Sequence, residues 1–347
     1  MATYYVDNVT GDDGNSGTGT TEAWATISHA ASGLSTGDHV YIKGGTDYDE
    51  TVNVSAYGDS NAYNIWEGYT TTPGDNGKFV IQGSAYTNCL TYSTTSNIRT
   101  TFRNMVLKGA QDHGLTMTTA WAQSRMSFEN CDFIDNGNYG VSSINNNIAF
   151  IGCSFTGNTG DGVRVNEGYF VRCKSQNNGG HGFYCGRGSI EYCISVGDLY
   201  AMYNGNGPIT NCTIDGVDGT TYYGLQIAPD AVCIGLNNNV YGCDWGVYNN
   251  TYNSSYIIPI NYVEGNNIND SIVSGYSNIL QRYKDLNVDV APGFTDEVGG
   301  DYTLASDSEC INAGVDFGGS GSTVGTDIGA YQSQDEGSGP SQIIITG

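Results

Sequence analysis

The sequence predicts an all-β chain wound as a parallel β-helix solenoid, with a short capping helix near the N-terminus and a capping segment near the C-terminus. Three observations carry this: a repeated unit of about 20 residues, apolar residues at strand spacing within each unit, and a composition that favours strands and turns. "FENCDFIDNGNYGV" at 128–141 is followed by "FIGCSFTGNTGDGV" at 150–163 and "FVRCKSQNNGGHGF" at 170–183. Aligned on cysteine, Cys131, Cys153, Cys173, Cys193 and Cys212 are separated by 22, 20, 20 and 19 residues. The 347 residues, 38% of them hydrophobic, can bury a substantial core, but 50 Gly, 26 Tyr and many Asn, Ser and Thr are poor helix material.

The elements follow in order. A solenoid needs its open end covered, because bare strand edges invite pairing with other chains. Ala25 to Gly33 reads as a short amphipathic helix with Thr20 or Thr21 upstream as its cap, ended by Gly33 and followed by the strand "HVYIKGG". In the repeats, Met105 upstream and Asn239 downstream take the cysteine register, at steps of 26 and 27 residues that imply loop insertions. Three residues before this position stands an apolar side chain: Phe102, Phe128, Phe150, Phe170, Ile190, Ile209 and Leu236. Each unit then has a polar turn and a second short strand opening on Gly or Ala and a hydrophobe, from Gly114-Leu115 through Gly162-Val163 to Gly246-Val247. Two or three short strands per unit make one coil of a solenoid.

Coils lie about 4.8 Å apart, so the cysteines are expected to stack as an internal column of packed, reduced thiols. One cysteine per coil lacks the paired C-x-x-C spacing of a zinc site. The chain divides into a cap and first coils (1–75), β-helix coils (76–285), a C-terminal capping segment (286–332) and a linker with a terminal strand (333–347). "QIIIT" near the end is either a strand folding back on the solenoid or one that docks to a partner or sister subunit.

The residues "YYVD", "W-x-T-I" and "GD-x-V-Y-I-K-G" near the N-terminus, with "GDYTLASDSECINAG" (300–314) and "DIGAY" (327–331), resemble the pectate-lyase-like, right-handed parallel β-helix proteins. The resemblance covers nearly the whole chain. It implies a right-handed solenoid of the kind found in phage tailspikes and fibres and in bacterial surface or secreted polysaccharide-active proteins, and it leaves the chemistry open. It also implies a homotrimer, as in tailspikes, and calcium as a candidate cofactor. The clusters "DNVTGDDGNSG" (7–17) and "DGVDG" (215–219) offer oxygen ligands but match no established calcium loop, so no metal ligands are assigned.

Charge narrows the partners. Twelve basic against 36 acidic residues, a net of −24, argue against nucleic acid or an anionic membrane bound through a broad basic surface. No run of 18 apolar residues exists to span a bilayer. The opening "MATYYVDNVTGDDGNSG" carries no signal-peptide pattern, which places the chain in a virion or, after removal of a leader, outside the cell.

Two columns are candidates for function. The residue before each Gly/Ala-hydrophobe pair gives His113, Tyr139, Asp161, His181, Tyr200, Tyr223 and Trp245. Two positions past the Gly or Ala lie Thr116, Ser142, Arg164, Tyr184, Tyr203, Gln226 and Tyr248. Facing outward, such a strip suits a glycan: rings stack on sugar C–H faces, and polar tips meet hydroxyls. The plainer alternative is that the rings merely cover turns. For catalysis, Asp161, Arg164, His181 and Tyr184 fall on adjacent coils. His181 or Tyr184 as base and Arg164 as the neutralising cation would serve β-elimination at a uronate. A glycoside hydrolase needs two carboxylates about 5–9.5 Å apart, with Asp132, Asp135, Asp161 and Glu167 as candidates. His29 and His39 are set aside as cap residues. The function expected is a glycan-binding, virion-associated β-helix recognising a host surface polysaccharide; a secreted lyase or hydrolase, or a purely structural decoration protein, are the alternatives.

Overall fold

The computed structural model describes residues 1–54, 62–92, 99–117, 125–144, 147–217, 220–227, 233–249, 260–264, 293–296 and 301–311. Among the described residues between Thr3 and Glu264 every strand pairing is parallel, and the strands fall on three faces. One coil shows the plan. Ile148–Ile151 lies on face I, Ser154–Thr156 on face II, and Val163 begins face III, from which the chain runs on to face I of the next coil. Register keeps like above like: Phe128, Phe150 and Phe170 on face I, Phe133 and Phe155 on face II, Val141, Val163 and Phe183 on face III.

The corner between faces I and II is a single left-handed residue, for example Asn104, Asn130 and Asn211 at φ 57°, 53° and 53°. Asparagine tolerates this conformation better than other side chains with a Cβ. The residue after it is the cysteine. Cys131, Cys153, Cys173, Cys193 and Cys212 are all buried, and the thiols of Cys131, Cys153 and Cys173 each donate to the carbonyl of Phe102, Phe128 or Phe150 in the preceding coil, at 3.2–3.6 Å. Burial pushes the first four of these thiols well above the ordinary cysteine range, and among the described residues nine cysteines are outside any disulfide. The expected column of packed thiols is therefore present.

One register differs by a residue. Thr213 pairs with Asn239, so Asn238 takes the cysteine position, and its Oδ1 accepts the Cys212 N–H at 2.9 Å as a cysteine sulfur does in the coils before. Gly235 stands opposite Ile209 where Leu236 was expected. Three consecutive asparagines carry no apolar mark, so only the left-handed corner at Asn237, φ 53°, reveals the register.

The interior is built from stacked rings. Phe102, Phe128, Phe150 and Phe170 follow one another at 5.3, 5.2 and 5.0 Å between centroids, with planes 7°, 12° and 3° apart. Phe133 and Phe155 form a second stack at 5.1 Å. At the corner between faces II and III a buried ladder runs Asn136, Asn158, Asn178, Asp198; each Oδ1 accepts the backbone N–H of the preceding member, at 3.1, 3.0 and 2.8 Å. This ladder explains the glycine that opens face III. A Cβ at Gly162 would come within 3.0 Å of Asn178 Nδ2 and within 2.7 Å of the Gly182 carbonyl, leaving no room for a side chain.

The capping helix is Ile27–Gly33, and its N-cap is Thr26 rather than Thr20 or Thr21. The reason is local. Asp13 accepts the Ala25 and Thr26 N–H groups and the Thr26 hydroxyl, holding the chain extended to residue 26, and Thr26 Oγ1 then accepts the His29 N–H at 3.1 Å. Glu50 takes the Ile27 and Ser28 N–H groups at 2.9 and 3.0 Å. Thr26→Ala is expected to lower stability by about 1 kcal/mol in a urea melt.

At the other end, Phe294–Asp296 and Asp301–Leu304 form an antiparallel pair, and buried Tyr302 packs on Ile194 and Val196 of face II. Its hydroxyl donates to Asp215 Oδ2 at 2.8 Å. The linker and terminal strand at 333–347 lie outside the described residues.

Candidate functional site

Face III carries both predicted columns. Along the first, His181 is opposite Tyr200, Tyr200 opposite Tyr223, and Tyr223 opposite Trp245. Along the second, Thr116, Ser142, Arg164, Tyr184, Tyr203, Gln226 and Tyr248 are successive register partners. His113, Tyr139, Tyr200, Tyr203, Tyr223 and Trp245 are half-buried, while Thr116 and Asp161 are buried; the side chain of Tyr248 is outside the described residues. Strand alternation turns the half-buried members outward.

Ring orientation departs from the expectation. Tyr184 and Tyr203 stack on each other at 4.4 Å and 14°, Tyr200 on Tyr223 at 5.5 Å and 25°, and His113 on Tyr139 at 5.1 Å and 9°. Their faces are covered by the neighbouring coil, so the strip offers ring edges rather than ring faces. Such cross-strand pairs also stabilise the solenoid. The ring set across the ladder is Tyr222, which the columns left out. It is 42% exposed, 78° from the Tyr200 plane, and adjoins Leu199, itself 39% exposed, through its N–H to the Leu199 carbonyl at 2.8 Å. Only the doubled tyrosine in "TYYG" signalled it in the sequence.

The four proposed catalytic residues do converge. Asp161 Oδ1 accepts the His181 backbone N–H at 2.7 Å and faces His181 Nδ1 at 3.3 Å, while Oδ2 pairs with Arg164 Nε. Burial raises the Asp161 pKa, but the bonds from His181 and Arg164 outweigh it and hold the carboxyl below its ordinary range. With its side chain 4% exposed and both oxygens engaged, Asp161 positions its neighbours and offers no carboxylate to solvent. His181 Nε2 meets Gln226 Oε1 at 3.1 Å. The Arg164 guanidinium lies 4.1 Å over the Tyr184 ring and 5.4 Å from that of Tyr139. The aromatic faces gain a cation–π contact, and the arginine plane is fixed.

The hydrolase carboxylates do not gather. Asp132 is on face II, paired with Lys78 at 2.8 Å; Asp135 is a left-handed turn residue; and Glu167 begins the face I stretch, accepting from Tyr169. Near the N-terminus the acidic loop is self-contained. Asp7 binds Thr10 and Lys43, Asp12 the Gly14 N–H, and Asp13 the residues before the helix. Residues 218–219 of the second acidic cluster lie outside the described residues. On face I, His39 Nε2 meets Glu67 at 3.1 Å, and Arg103 bridges Glu67 and Glu129 at 3.8 and 2.8 Å. Burial lowers the His39 pKa against the pull of Glu67.

Neither a protein-family model nor a curated protein sequence matches the chain. Solved structures do. Pectate lyase Pel9A is similar at a TM-score of 0.59 and 16% identity, over 96% of each chain. A rhamnogalacturonan lyase is similar at 0.44 and 15%, over 88% of this chain and 97% of the other. The pectin methylesterase from Aspergillus niger gives 0.40 and 13%, over 84% and 91%. At 16% identity the likeness to Pel9A speaks for the fold, and together with the three parallel faces it shows that this chain is a parallel β-helix.

Proposed function

We propose that the protein binds a polysaccharide along face III. The observation that carries this is the half-buried column of tyrosine rings, repeated at coil spacing beside the Leu199–Tyr222 platform. A repeating polymer can meet a repeating set of donors and acceptors in register, whereas a compact ligand would use one coil. The exposed apolar pair takes the C–H face of one sugar, and the hydroxyl tips along the strip take its neighbours. A binding role of this kind suits a receptor-recognising protein displayed on a virion or outside the cell.

Tyr222→Ala tests the platform. Retention in affinity electrophoresis on a bound polysaccharide is expected to weaken about fivefold, from about 1 kcal/mol of lost aromatic contact. Tyr169→Ala, an equally exposed tyrosine on face I, is expected to leave mobility unchanged. The reverse pattern would remove face III as the binding surface. Cleavage is read in parallel. Unsaturated-uronate absorbance would assign elimination to Arg164, His181 and Tyr184, and new reducing ends alone would point to a carboxylate pair.

A further inference from the structure

We infer that the polysaccharide taken by face III is uncharged, an inference that rests on the binding reading above. Among the described residues, the positions of the two columns and the one just before them, from Asp112 to Trp245, hold one arginine, Arg164, and no lysine, against the carboxylates of Asp112, Asp161 and Asp244; the exposed Arg187, opposite Glu167, begins the face I stretch beyond the strip. Arg164 is already paired with Asp161, and its plane rests on Tyr184. Among the described residues no unpaired positive charge therefore waits on the strip for a uronate or sulfate group, which would also approach a chain of net charge −24. Polyanion recognition elsewhere relies on charge-assisted, often bidentate bonds from free arginine or lysine. Here the remaining tips are phenols, an amide and the Ser142 hydroxyl, each able both to donate and to accept. That dual capacity matches sugar hydroxyls, which do the same.

A divalent ion bridging acidic protein to acidic glycan is the competing arrangement. The three carboxylates do not converge: Asp112 binds Asn138 and lies beside its neighbour His113, Asp161 holds Arg164 and His181, and Asp244 stands several coils further on. Among the described residues no group of three or more His, Cys, Asp or Glu gathers as a metal site.

The test is affinity electrophoresis of the whole chain in gels containing galactomannan, xyloglucan or mixed-linkage glucan, and in gels containing polygalacturonate or alginate with and without calcium. Each is run at low and at physiological ionic strength. Retention is expected from a neutral polymer, unchanged by salt, because screening acts only on charges. Tyr200→Phe and Tyr184→Phe, which remove a hydroxyl and keep the ring, are expected to weaken it about twofold to tenfold each. Stronger retention by polygalacturonate or alginate, fading with salt and lost in Arg164→Gln, would overturn the neutral assignment while leaving face III as the binding surface. Retention by a neutral polymer that ignores Tyr222→Ala, Tyr200→Phe and Tyr184→Phe alike would overturn the face III reading itself. No retention by any of these polymers would overturn both.

Discussion

Replacing Phe150 by Ala is expected to destabilise the central coils by about 3–5 kcal/mol, the range found when a fully buried ring is truncated in a core that cannot collapse around the gap. Phe150 has 0% exposure and sits between Phe128 at 5.2 Å and Phe170 at 5.0 Å, with Phe133 and Phe155 edge-on at 6.3 and 5.5 Å. Coils above and below are fixed by backbone ladders on three faces, so the neighbours cannot move in to fill the space. Because each coil is stabilised chiefly by its neighbours, the loss should also uncouple the two halves of the solenoid. A urea melt followed by circular dichroism should show a lower midpoint, with a second transition where the halves separate. Phe150→Leu, which keeps most of the volume, should cost far less, since shape changes at near-constant volume usually cost under about 1.5 kcal/mol. Equal midpoints for wild type and Phe150→Ala would mean the ring stack is incidental to stability.

That stack was legible in advance because its marks are apolar and periodic. A phenylalanine or isoleucine three residues before each cysteine of the column, with a Gly- or Ala-hydrophobe pair following, determined which residues face in and hence which face out. The two columns followed from the same alternation, and the register pairs stack the second from Thr116 to Tyr248 and the first from His181 to Trp245, while Thr116 and Asp161 are buried. Polar structure was less readable. The ladder of Asn136, Asn158, Asn178 and Asp198 lies in turns where asparagine reads as an ordinary loop residue, and burial alone distinguishes it. The slip at Asn238 has the same origin. Side-chain orientation was out of reach altogether. Whether Tyr184 turns its face to a sugar or to Tyr203 depends on the spacing between coils, and whether Asp161 is a base or a buried anchor depends on where Arg164 and His181 aim.

The ladder carries the second large effect. Asp198 occupies a position that is asparagine in the three preceding coils, and it is wholly buried. Its Oδ1 accepts both the backbone N–H and the Nδ2 of Asn178, at 2.8 and 2.7 Å, and its Oδ2 accepts the Ser195 hydroxyl at 2.6 Å. These donors favour the carboxylate, but burial outweighs them and raises the carboxyl from 3.8 to about 6. The sign follows. Between those values the folded chain holds a proton that the unfolded chain has lost, so stability falls as pH rises through the window and levels off above it. Roughly two pH units at 1.36 kcal/mol each give about 3 kcal/mol lost by neutral pH. Asp198→Asn is expected to restore most of that loss, because an amide keeps the acceptor for Asn178 and lets its nitrogen donate to Ser195, as Asn178 Nδ2 donates to Ser175 Oγ at 2.9 Å. Urea melts at pH 7 and pH 4 decide it. The variant should be more stable than wild type at pH 7, by up to about 3 kcal/mol, and the difference should shrink toward zero at pH 4 as the wild-type carboxyl takes up its proton. A variant less stable than wild type at pH 7 would mean that the Asp198 charge stabilises its coil, through the Asn178 and Ser195 donors, more than burial opposes it.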